Sequence, residues 1–215
     1  YDITSYDGGV RTVTDTFSVQ AGNEYVNGLD YNGDGDVDFL FRDADGSDTG
    51  RMPRLRRHGP HETARLTYQV PTFRGVAFEA GGDFDGDGIG EVLMRDSVGG
   101  GTSIYNVVAG SASSQTLAGS DGNDLIDGAD GNDRVFGRDG DDIIIDSGTG
   151  SVNADTLFGG DGDDLIDGGI ENDSLWGGNG DDILQGQSGD DFLAGGLGDD
   201  TLRAGNGAGV LYGDD

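Results

Sequence analysis

The chain has 215 residues, 44 of them Gly, with 42 Asp plus Glu against 12 Arg and no Lys, a formal net charge of −30. Only 33% of the residues are hydrophobic, too few for an ordinary layered α/β enzyme built on one large core. So acidic a surface repels phosphate backbones and anionic lipid, which sets nucleic acid aside as a partner; no apolar run is long enough for a transmembrane segment, and the absence of Cys excludes disulfides and thiolate metal sites.

Taken in chain order, residues 1–20, with alternating Val10, Thr12 and Thr14, read as strands. Two segments 53 residues apart then share one pattern, GLDYNGDGDVDFLFRD from Gly28 and GGDFDGDGIGEVLMRD from Gly81. Oxygen-bearing residues recur at places one, three, five and nine: Asp30, Asn32, Asp34 and Asp38, then Asp83, Asp85, Asp87 and Glu91. Asp36 and Ile89, at place seven, complete the candidate set. Hard oxygen donors at this spacing suit calcium. Place twelve is Phe41 or Met94, where an EF-hand needs a bidentate Glu, and strands are expected at 39–42, 92–95 and 103–108, so the loops are not EF-hands. They resemble the FG-GAP or VCBS repeats of integrin-like β-propellers, which implies a small β domain over 1–115 with two calcium loops and a partial set of blades.

Between the two loops lie five of the 12 Arg, at 51–65, read as a solvated loop. His58 and His61 flank Pro60 there and make no HExxH zinc motif. With no GxSxG elbow and no Cys nucleophile, no catalytic constellation is visible, and the chain is read as not an enzyme.

Composition changes near 116. Of the 42 acidic residues, 24 lie in 116–215 with three Arg, a balance of −21 that leaves −9 for the first half. The second half can be written in nines: GSDGNDLID from Gly119, GADGNDRVF from Gly128, GRDGDDIII from Gly137, then DSGTGSVNADTLF with four residues too many, GGDGDDLID from Gly159, and on to AGNGAGVLY from Ala204. Each of the ten units carries glycines, then Asp at its sixth place, except for Gly209 in the last, and an aliphatic at its eighth, from Ile126 to Leu211. A spacing of nine does not track a helix, and Gly at this frequency costs a helix about 1 kcal/mol per position. A three-residue strand and a six-residue Gly-rich turn per unit would coil all ten aliphatics inward, an all-β solenoid.

These units resemble the RTX family and its GGxGxDxUx nonapeptide. The resemblance implies a parallel β-roll over 116–215 with two nonapeptides per coil and several calcium ions between coils. It also implies that the sixth-place carboxylates, Asp124, Asp133, Asp142, Asp155, Asp164, Asp173, Asp182, Asp191 and Asp200, are ligands together with turn carbonyls. Five pairs stand 18 residues apart; Asp133 with Asp155 and Asp142 with Asp164 stand 22 apart, and the sites beside the bulge at 146–154 are expected to be the irregular ones. Stacked Asp at strand spacing, about 4.8 Å, repel one another, so this half is expected to be unfolded without calcium.

Seventh and ninth places should point outward. In alternate units the ninth reads Phe136, Phe158, Trp176, Ala194 and Tyr212, an aromatic stripe suited to a protein partner, to self-association or to carbohydrate, or else to ordinary cross-strand packing. The whole reads as a secreted calcium-binding scaffold or adhesion module. The alternative is an accessory part of a larger RTX protease, lipase or epimerase; the missing Met and the unfinished last nonapeptide suggest a piece of a longer polypeptide.

Overall fold

The computed structural model describes residues 2–7, 10–16, 23–29, 38–43, 54–56, 76–82, 84, 91–96, 102–110, 113–148 and 154–213. Among them there are strands and turns and no helix. β1 (Asp2–Asp7) pairs antiparallel with β2 (Val10–Thr16). β3 (Asn23–Leu29), β4 (Asp38–Asp43) and β5 (Arg54–Arg56) form a second antiparallel sheet. The short strand β5 corrects the reading of the Arg-rich stretch as loop throughout: alternation around Leu55 lets it pair with β4, Leu40 opposite Leu55.

β6 (Val76–Gly82) and β7 (Glu91–Asp96) repeat the β3–β4 hairpin 53 residues on. The copy extends to the irregularity in register, between Tyr25 and Asn27 in one and Phe78 and Ala80 in the other. The strands expected after both acidic loops are therefore present, and β8 (Thr102–Ala109) is the third one expected. The loop residues Asp30, Asn32, Asp34, Asp36, Asp83, Asp85, Asp87 and Ile89 lie outside the described residues, as does the side chain of Asp38.

From β8 onward the chain winds as a parallel solenoid of about six turns, each giving one strand to each of two sheets. One sheet stacks β8, β10 (Asp124–Asp127), β12 (Ile143–Ile145), β14 (Leu165–Asp167), β16 (Ile183–Gln185) and β18 (Thr201–Arg203), and continues beyond β8 through antiparallel β7 and β6. The other stacks β9 (Thr116–Ala118), β11 (Arg134–Asp139), β13 (Thr156–Asp161), β15 (Ser174–Asn179), β17 (Phe192–Leu197) and β19 (Val210–Tyr212). Strands β10, β12, β14, β16 and β18 of the first sheet hold three or four residues, as expected. Those of β11, β13, β15 and β17 hold six, because the ladder runs on through the glycines that follow, Gly160 opposite Gly178 and Gly178 opposite Gly196.

The eighth-place aliphatics Ile126, Val135, Ile144, Leu157, Ile166, Leu175, Leu184 and Leu193 are fully buried and form one core between the sheets. Each buried aliphatic contributes about 2 kcal/mol, and their fixed facing sets the register. Leu211, in the last described turn, is 44% exposed.

The seventh and ninth places point outward as expected, but over the early coils of the first sheet they do not meet solvent. Leu125, Ile143 and Leu165 at place seven and Asp127 and Ile145 at place nine are buried. Val107, Leu125, Ile143 and Leu165 stand in register across four strands, and Val92, Met94 and Tyr105 extend the buried set into β7 and β8. The outer face of this sheet is as dry there as the interior.

Candidate metal centre

The sixth-place aspartates line the two edges of the solenoid in two rows, because every unit sets that residue just before its inward aliphatic. Asp124, Asp142, Asp164, Asp182 and Asp200 form one row; Asp133, Asp155, Asp173 and Asp191 form the other. Within a row each main-chain N–H donates to Oδ1 of the Asp one coil on. The distances are 2.8 Å for Asp124 to Asp142 and Asp142 to Asp164, 2.7 Å for Asp133 to Asp155, and 2.8 Å for Asp155 to Asp173 and Asp164 to Asp182. Asp173 to Asp191 and Asp182 to Asp200 are 3.0 Å. The two pairs beside the insertion are built like the rest, a correction to the expectation that they would be irregular.

The second carboxylate oxygen is a different matter. Oδ2 of Asp133, Asp142, Asp155, Asp164, Asp173, Asp191 and Asp200, and Oδ1 of Asp124, are buried without a hydrogen-bond partner. Burial raises the pKa of Asp142 to about 7 and of Asp155, Asp164 and Asp173 to about 8, with neighbouring aspartates adding to the rise. Asp124, Asp133 and Asp191 are raised by the same desolvation. A buried, like-charged row with open oxygens favours a cation beside it.

Glycine at the first place of the unit leaves the space that the carboxylate fills. A Cβ on Gly137, Gly159 or Gly177 would fall on Oδ2 of its own unit's aspartate, Asp142, Asp164 or Asp182, and against the carbonyl oxygen of the corresponding glycine one coil on. Carboxylate and carbonyl oxygen thus face one spot. Among the described residues no three carboxylate or imidazole side chains converge, so an ion there draws on main-chain oxygens as well. Hard oxygen donors of this mixed kind, with no nitrogen or sulfur, suit calcium.

A second ladder escaped the sequence. Fifth-place residues stack outside the first rows and run the opposite way: the N–H of Asp163 donates to Asp141 Oδ1 at 3.0 Å, and those of Asp181 and Asp199 donate to Asp163 and Asp181 at 2.9 Å. Asn123 and Asn172 serve the same role, accepting from Asp141 and Asp190. Asp and Asn both carry an acceptor oxygen at the needed reach, which explains why both occur there. The pairing of fifth and sixth places was visible as the recurring Asp-Asp and Asn-Asp, but its direction was not.

Glu91, the last of the first-half candidates, is buried at the start of β7, and its Oε2 accepts the Phe84 N–H at 2.7 Å. On the solenoid's other sheet the aromatic stripe is present and self-stacked. Phe136 and Phe158 lie 5.0 Å apart and Phe158 and Trp176 4.7 Å apart, nearly parallel. Phe192, from the seventh place, fills the gap at Ala194 and touches Trp176 and Tyr212, both at 5.5 Å. Arg134 sits over Phe136 and Phe158.

Residues 110–144, 145–175 and 176–211 match the family model of the RTX calcium-binding nonapeptide repeat, four copies to a match. No curated protein and no solved structure matches the chain. No helix among the described residues is long and apolar enough to cross a membrane. Repeat, parallel coil and open carboxylate rows together support an RTX β-roll in residues 110–211, a structural module of calcium-binding repeats.

Proposed function

We propose that this chain is a secreted module whose roll folds when calcium fills the two aspartate rows, and that it serves as a scaffold or adhesive part of a surface assembly. Asp124, Asp133, Asp142, Asp155, Asp164, Asp173, Asp182, Asp191 and Asp200 are the side-chain ligands in this reading, one ion for each of the seven joined pairs. The observation that carries it is the run of buried carboxylate oxygens without hydrogen-bond partners, whose repulsion the aliphatic core alone does not offset. Calcium at about 10⁻³ M outside the cell suffices for weak sites of this class, while cytosolic levels leave them empty and the aspartate-bearing coils unfolded.

The paired acidic loops of the first half fit the same setting. In this reading Asp30, Asn32, Asp34, Asp36 and Asp38, and Asp83, Asp85, Asp87, Ile89 and Glu91, hold calcium in FG-GAP or VCBS-like hairpins over 1–115. What supports it is the 53-residue repeat, in which two hairpins share length and irregularity around like loops. The aromatic stripe is assigned to holding coils together. Rings stacked face to face present edges outward, and a sugar needs an open face.

Far-UV circular dichroism of the chain during calcium and magnesium titrations tests the proposal. Cooperative gain of β signal with calcium and not magnesium is the expected result. Equal β signal in chelator at neutral pH would sink it.

A further inference from the structure

The roll begins one coil before its first aspartate, and that coil carries no charge. Between Asp96 and Asp121 the sequence has no acidic or basic residue. Yet β8 stands in register with β10, Asn106 opposite Asp124 and Val108 opposite Ile126, and β9 stands in register with β11, Leu117 opposite Val135. Asn106 and Gln115 thus occupy the places that aspartate holds in the later coils.

Their chemistry differs from that of the later coils. The N–H and hydroxyl of Ser120 donate to Asp124 Oδ2 at 2.6 and 3.0 Å, and the Asn106 amide supports that hydroxyl at 3.2 Å. In the other row the Gln115 N–H donates to Asp133 Oδ1 at 2.7 Å, and Ser114 accepts the Asn132 N–H at 2.9 Å. Neutral groups hold this coil against the first aspartates, so no carboxylate faces another at this step. Its strand β8 is also hydrogen-bonded on both edges, to β10 and to antiparallel β7, and Tyr105 and Val107 are buried with Val92 and Met94.

We propose that residues 102–118 are a neutral starting coil that needs no ion in the aspartate rows, held by the pairing of β8 with β7, from which the calcium-filled coils assemble toward the C-terminus. At the other end of the described roll Leu197, Val210, Leu211 and Tyr212 are exposed. The inference rests on the calcium-coupled folding proposed above and adds to it an order and a place of nucleation. It also draws the start of the roll back across the composition change at 116.

Hydrogen exchange of the full 215-residue chain, read by mass spectrometry in chelator and through a calcium titration, tests it. In chelator the amides of β8 should exchange about tenfold or more slower than those of β15 and β16, and rising calcium should protect β10 and β11 before β16 and β17. Exchange of β8 as fast as β16 in chelator, with protection then arriving everywhere at once or from the C-terminal end, overturns the starting coil while leaving calcium-coupled folding intact. Equal protection of all coils in chelator overturns both. Asn106→Asp sets a carboxylate opposite Asp124 and should raise β8 exchange in chelator about tenfold above that of Asn106→Ala, with calcium restoring it. Equal exchange in the two variants defeats the charge argument.

Discussion

Asp133 donates its main-chain N–H to Asp155 at 2.7 Å across 22 residues, and Asp155 donates to Asp173 at 2.8 Å across 18. The four extra residues leave the aspartate row intact, because the inward aliphatics Val135 and Leu157 stay opposite each other and the excess is taken up in the turn. Asp127, fully buried, accepts the Ser147 N–H and hydroxyl and so fastens the start of that turn. Removing residues 149–152 should shift the calcium midpoint of folding by less than about twofold, since loop length enters stability only weakly. A calcium titration followed by circular dichroism decides; loss of two sites on shortening would contradict it.

Asp173 accepts from Asp155 and donates to Asp191, so it belongs to two steps, whereas Asp200 belongs to one. A charged hydrogen bond and the partner left open behind it are worth about 1.5–3 kcal/mol. Asp173→Ala should therefore raise the calcium midpoint more than Asp200→Ala and bind two fewer ions against one fewer. Isothermal calorimetry on both variants reads the stoichiometry directly.

Protons and calcium compete for the same oxygens. Asp142 titrates at about 7 and Asp155, Asp164 and Asp173 at about 8 in the folded roll, raised by burial, while the unfolded chain titrates near about 4. Between these values the folded state binds more protons, so the metal-free roll is most stable at low pH and loses that stability as pH rises toward 8. In chelator, β signal should be present at about pH 5 and absent at about pH 9, and the calcium needed at a given pH should increase as pH falls. A flat signal over that range in chelator would refute the linkage.

Backbone strain separates two turn positions. Gly178 has φ +130°, and a Cβ there would strike the Gly160 carbonyl one coil back, so Gly178→Ala should cost more than about 2 kcal/mol. Glu171 occupies the fourth place, where most units have Gly, at φ +79°. Glu171→Gly should stabilise by about 1 kcal/mol. Urea denaturation in saturating calcium measures both.

Trp176 stacks on Phe158 and contacts Phe192, joining three coils on one face. Trp176→Ala should lower stability in calcium by about 2–3 kcal/mol, seen as a lower urea midpoint. Stability unchanged by the variant would return the stripe to the role of a free binding surface.

Period nine, Gly at the first, second and fourth places, Asp at the sixth and an aliphatic at the eighth were enough to derive a β solenoid with its inward row, and the RTX resemblance those letters carry implied the parallel roll and its aspartate rows. Each of these is a local requirement repeated coil by coil: an aliphatic to fill the interior, glycine where a carboxylate oxygen takes the space of a Cβ, and an oxygen donor at the edge. The first coil was hidden because Asn106 and Gln115 replace aspartate and Ile104 and Ser113 stand at the fourth place, where most later units have glycine, which removes the letters that mark the period while leaving Val108 and Leu117 in place. Whether the first sheet's apolar outer face is covered was left open by the sequence. Leu125, Ile143 and Leu165 alternate as outward residues of any strand would, and whether water or protein meets them depends on packing between distant parts of the chain. Direction in the fifth-place ladder likewise depends on which coil's N–H lies within reach of which carboxylate, a distance set only when the coils stack. Nearest-neighbour order along the solenoid was thus determined by the sequence itself, and what covers a face or closes an end was decided by the tertiary structure, because those contacts join residues that share no period.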